Sequence, residues 1–97
     1  MNNWQNKSDF EINKAVHIVE GMYSEDINGT YMPSFDYCNN PSDSWPIIQR
    51  NNIATQPRPS SEEWFAFSIC ENEFEVIDKN PLRAAMIVYL DIKGVKP

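Results

Sequence analysis

An α+β fold follows from three observations: a small antiparallel sheet packed with two main helices, in the order α-β-α-β-β-α. Two stretches carry apolar residues at helical spacing behind capping signals, Ser8-Asp9-Phe10-Glu11 and Asn80-Pro81. Between them, WFAFSIC (64–70) and FEVID (74–78) are aromatic and β-branched runs joined by Glu71-Asn72-Glu73, the pattern of a β-hairpin. Ninety-seven residues with 41% apolar content suffice for one small core and not two, so 1–97 reads as a single domain.

Taken in order, Ser8 and Glu11 form a capping box, and Ile12, Ala15, Val16, Val19 and Met22 follow as an amphipathic stripe. This predicts a helix over about 9–20, ended by Gly21. His17, the only histidine, lies roughly 160° from the centre of that stripe and is expected to face solvent. SEDINGT (24–30) is a polar turn region with Asn28-Gly29 as its tight turn. TYMPSFDYC (30–38) alternates, but Pro33 lacks an amide, so it suits an edge strand or an irregular extended segment. In NNPSDSWPIIQRNN (39–52), Asp43 can cap a short helix whose first turn tolerates Pro46 while Ile47 and Ile48 pack inward. Pro57 and Pro59 make IATQPRPSS (53–61) an expected exposed loop. After the hairpin, Asn80 caps and Pro81 begins a last helix that runs to about Lys93, with Gly94 beyond it. Only Arg83 and Asp91 interrupt its apolar circumference, so it belongs at the centre of the domain or at a subunit interface, and a homo-oligomer is expected.

Composition excludes several classes. The longest apolar run, Ala84 to Leu90, is far below the ~20 residues of a membrane span, and MNNWQNKSDF has no apolar signal core. A soluble protein retained where it is made is the expectation. Cys38 and Cys70 lie 32 positions apart without the spacing of zinc ligands, and both are expected to be buried free thiols in a reducing cytoplasm. Glycines at 21, 29 and 94 cannot form a phosphate-cradling loop, and His17 has no nucleophile near it in sequence. An enzyme is therefore the weakest class, and no metal or cofactor is expected. The net charge of -6 arises entirely between Glu62 and Asp78, where Glu62, Glu63, Glu71, Glu73, Glu75 and Asp78 meet no base. Such a segment repels nucleic-acid phosphates, so direct nucleic-acid binding is not expected, and it can attract a basic partner.

Two groups of residues remain as binding candidates. The first is Tyr37, Asn39, Asn40, Asp43, Trp45, Arg50 and Arg83: rings for stacking, amides that donate and accept, and guanidinium forks for phosphate. Helix-start grammar and core packing account for most of the same residues. The second is Glu71, Glu73 and Glu75, which share one face if extended. They could dock on a basic protein or imitate phosphates, or they could simply be the solvent face of a hairpin.

SDFEINKAV (8–16), FDYCNNPSDSWPII (35–48) and NPLRAAMIVYL (80–90) resemble, in the same order, the small NinX-type proteins encoded among early genes of lambdoid and related tailed phages. The middle, ATQPRPSSEEWFAFSICENEFEV, departs most from that pattern. The resemblance implies a phage origin and action inside the infected bacterial cytoplasm; it supplies no activity. By analogy with small phage proteins that blunt bacterial immunity, the leading expectation is a non-enzymatic accessory protein that counters host defence by binding. Its expected target is a small nucleotide-like ligand, with a host defence protein inhibited through the 62–78 acids as the alternative.

Overall fold

Each helix begins where a side chain can satisfy its first amides. The structure, a computed structural model, describes residues 3–21, 35–70 and 74–97. A 3-10 turn, Asn3–Asn6, precedes α1 (Asp9–Val19), whose cap is Ser8: its hydroxyl accepts from the Glu11 amide and donates to the Glu11 carboxylate. Gly21, at φ +74°, ends it in the left-handed conformation that glycine adopts without strain. Two further helices, α2 (Pro41–Arg50) and α3 (Pro81–Ile92), open in the same way, with Asn40 and Asn80 accepting first-turn amides ahead of a proline. The cap of α2 is thus Asn40, not Asp43 as expected. Asn40-Pro41 starts the helix earlier, which puts Pro46 in its interior, where it offers no amide to the Ser42 carbonyl.

Three strands, β1 (Ile53–Pro57), β2 (Trp64–Ser68) and β3 (Glu75–Asp78), form an antiparallel meander in that order. The class is α+β, with element order α-α-β-β-β-α. Two assignments change. Of the extended segment expected at 30–38, residues 30–34 lie outside the described residues, as do Met22 and the Asn28-Gly29 turn. Residues 35–38 lead into a turn in which the amides of Asn39 and Asn40 both donate to the Asp36 carbonyl. This turn delivers Asn40 to its capping position. Conversely, the loop expected at 53–61 contains β1. Pro57 is tolerated because it is the last residue of an edge strand. The chain turns only afterwards, through Ser60 at φ +61°, and the Arg58 amide closes the turn on the Glu63 carbonyl.

Strand alternation sorts the sheet into two faces. Ile53, Ala66, Ser68 and Val76 are buried on the face covered by α3, while Ala54, Phe65, Phe67 and Ile77 are half-buried on the other. Residues 84–90 of α3 are all buried between the sheet, α1 and α2. Fully buried side chains such as Ile12, Ile47, Ile87 and Leu90 each contribute about 1.5–3 kcal/mol. The apolar circumference of α3 is therefore accounted for within one chain. Among the described residues, no helix is long and apolar enough to cross a membrane.

The three helices run the same way. At one end Arg83 of α3 reaches Asp9 of α1, and Asn80 reaches Asn39, next to the α2 cap. At the other end, Glu20 after α1 joins Arg50 of α2 (2.6 Å) and Tyr89 of α3 (2.5 Å).

Candidate functional site

The helix starts meet at one end of the molecule, and Arg83 binds them together. Its Nη1 and Nε pair with Asp9 (2.6 Å) and Asp78 (3.1 Å), and its Nη2 donates to the carbonyls of Gln5 and Lys7. Burial works against its charge, but the two carboxylates more than offset this, and its pKa is raised. Asn80 accepts the amides of Leu82 and Arg83 through Oδ1, while its Nδ2 donates to the Cys38 carbonyl (2.6 Å) and to Asn39 Oδ1 (3.0 Å). Asn80 therefore ties the start of α3 to the turn that delivers Asn40.

Four carboxylates, Asp9, Asp36, Asp43 and Asp78, stand around these starts. Three aligned helix N-termini carry partial positive charge, which these acids complement. Local bonds also hold them. Asp36 accepts from Asn13 (2.9 Å) and Asn39 (3.1 Å), and Asp43 accepts the Asp36 amide (2.9 Å). Asn13, buried in α1, also accepts the Cys38 amide (3.0 Å). Burial, reinforced by Asp9, pushes the Cys38 thiol up to about 12, which keeps it protonated and inert.

Beside this network lies a depression of about 380 Å³ lined by Asp9, Phe10, Asn13, Phe35, Asp36, Asn39, Asn40 and Asp43. A smaller hollow of about 190 Å³ adjoins it, sharing Phe35 and Asp43 and adding Glu20, Tyr37, Ser42, Pro46, Ile47 and Arg50. The larger space offers hydrogen-bond acceptors, amides and two rings with no base on its wall; the smaller one offers a guanidinium.

Five of the seven candidate residues border these spaces, in different roles. Asn39, Asn40 and Asp43 line the larger one, and Arg50, with 60% of its side chain exposed, lines the smaller. Tyr37 borders the smaller hollow but is only 2% exposed, stacked on Phe35 with its hydroxyl 3.1 Å from His17 Nδ1. Trp45 is half-exposed and lines neither space; Arg83 is held in the network behind Asp9. Of the second group, Glu75 is exposed on β3, and Glu71 and Glu73 lie outside the described residues. Two expectations are corrected. His17 is 4% exposed, because Phe35 and Tyr37 pack over the side of α1 away from its apolar stripe. Cys70 is exposed, since it lies past the end of β2, beyond the cover of α3.

Asn13, Asp36, Phe35 and Glu20 were not singled out from the sequence. Asn13 carried one signal: asparagine is a poor helix-interior residue and here follows a core isoleucine. No described group of three or more His, Cys, Asp or Glu side chains is arranged to hold a metal ion.

The family model described as "Bacteriophage P22, NinX" matches residues 4–93, which include all three helices, the whole sheet and every residue of both hollows. Comparison with curated proteins finds no match.

Proposed function

The chain belongs to the bacteriophage P22 NinX family, and on that premise we propose that it is a non-enzymatic accessory protein that counters host defence in the bacterial cytoplasm by sequestering a small nucleotide-like ligand. The observation that carries this reading is that two neighbouring hollows share Phe35 and Asp43 in their linings. A base fits the larger one, where Asp36, Asp43 and the Asn39 and Asn40 amides can match the donors and acceptors on its edge. Among the described residues, Arg50 is the one basic side chain lining either hollow, so the phosphate end points to its guanidinium, which it takes over from Glu20. Relative to the sequence expectation, the ligand loses Tyr37, Trp45 and Arg83 and gains Phe35 and Asp36.

The test is retention of small molecules from lysate of infected, defence-bearing cells, identified by mass spectrometry after the protein is denatured. The expected result is an intact nucleotide-like species, retained by Trp45→Ala and lost with Arg50→Ala or Asp43→Asn. Retention undiminished in both of the latter variants, or recovery of a chemically altered species, counts against the reading.

A second reading, inhibition of a basic host protein, has support in the exposed Glu62 and Glu75. Changing Glu62, Glu71, Glu73 and Glu75 to glutamine would then abolish counter-defence activity while Arg50→Ala preserved it. Self-association also belongs to the proposal. Its support is the outer sheet face, where Phe65 and Phe67 lie 5.3 Å apart among few charges. Sedimentation equilibrium of wild type and Phe67→Glu tests it.

A further inference from the structure

We propose that a second site, a groove between α1 and the last residues of the chain, docks a short amphipathic helix of a partner protein whose apolar face is flanked by acids. The groove measures about 380 Å³. Trp4 is nearly buried in its lining and held by a hydrogen bond from its indole N–H to the Val95 carbonyl (2.9 Å). Ala15 and Val19 of α1 continue the apolar lining, and Ile18, 51% exposed, stands in it as a contact for an incoming side chain.

Charge selects the occupant. The chain carries -6 overall, yet among the described residues of this lining three of its five lysines, Lys7, Lys14 and Lys96, stand with one acidic side chain, Glu11. An apolar concavity with a cationic rim on an acidic protein repels basic segments elsewhere and admits acidic ones here. Shape selects a helix. The exposed side of α1 presents Glu11, Lys14, Ala15 and Ile18 at helical i, i+3, i+4, i+7 spacing, a ridge that a second helix meets with apolar side chains of its own at the same spacing. The concavity takes protruding side chains, as a flat lipid surface would not provide. None of its residues lines the hollows that share Phe35 and Asp43, so occupation of one site does not require the other.

The experiment selects, on the purified chain, from a displayed library of helical peptides with an invariant leucine face and randomised flanking positions. Selected peptides are then measured by fluorescence anisotropy. Enrichment of Asp and Glu in the flanks is expected, with binding that weakens about tenfold or more in Lys7→Glu/Lys14→Glu/Lys96→Glu. Ile18→Asp should weaken it similarly, and so should raising salt to ~0.3 M. Circular dichroism establishes that both variants stay folded, and both substitutions are at solvent-accessible positions. Selected peptides without acidic flanks, or bound equally by both variants, overturn the proposal. So does association of the chain alone that Ile18→Asp abolishes, which would assign the groove to a second copy. Cosedimentation with anionic phospholipid vesicles that the lysine reversals abolish would assign it to lipid and overturn it too.

Discussion

Arg83 shows how a residue that sequence offers as a phosphate ligand becomes structural. Its guanidinium has four partners on two stretches of the chain, 5–9 and Asp78, two of them carboxylates, and only 13% of its side chain is exposed. Arg83→Met leaves Asp9 and Asp78 without their cation. Because 44% of the Asp9 side chain is exposed, the expected loss is about 2–3 kcal/mol, below the usual range for breaking a buried pair. Urea denaturation measures it, and Arg83→Lys should recover only part, since an ammonium cannot reproduce the fork. The cysteines differ just as sharply. Cys38 is buried with its thiol held protonated, while Cys70 is exposed. A chromogenic disulfide reagent should modify Cys70 alone in the native protein and both thiols in denaturant.

At the scale of elements, the two Asn-Pro starts are not equivalent. Asn40 accepts a single first-turn amide, from Ser42, whereas Asn80 accepts two and donates to Cys38 and Asn39 as well. Asn40→Ala should cost about 1 kcal/mol and Asn80→Ala about 2 kcal/mol or slightly more. Asn80→Asp separates the two roles: it keeps the cap and loses the donors, so its thermal midpoint should fall between wild type and Asn80→Ala. The boundaries of α1 and α3 were legible because caps act locally, whereas the start of α2 was placed too late. Ser8, Asn80, Gly21 and Gly94 stand at positions the sequence indicated. β1 was not legible. Prolines at 57 and 59 argue for a loop, and only the position of β1 at the sheet edge makes Pro57 acceptable.

Across the whole molecule, alignment of the three helices organises both ends. Acids gather where the N-termini meet, and at the opposite end Glu20 holds Arg50 and Tyr89. Burial, together with the bond to Glu20, raises the Tyr89 pKa well above its ordinary value of 10. The folded state therefore holds this proton more tightly than the unfolded chain does. Its contribution to stability is complete below about pH 10 and is lost as pH rises through the folded-state value. Urea midpoints measured from pH 8 upward should fall above pH 10, and more steeply for wild type than for Tyr89→Phe.

Local chemistry decided what the sequence could determine alone: the α+β class, the capped starts of α1 and α3, and the strands β2 and β3. Each depends on residues close together in the chain. The site depended on which distant residues meet. Asn39 faces Asn80 across 41 positions, Asp9 faces Arg83 across 74, and Phe35 with Tyr37 covers His17 on a helix face that periodicity assigns to solvent. Tertiary packing alone turned Arg83 and Tyr37 into structure. It left Asn39, Asn40, Asp43 and Arg50 around two hollows that share Phe35 and Asp43 and placed three lysines around an apolar groove on an acidic chain.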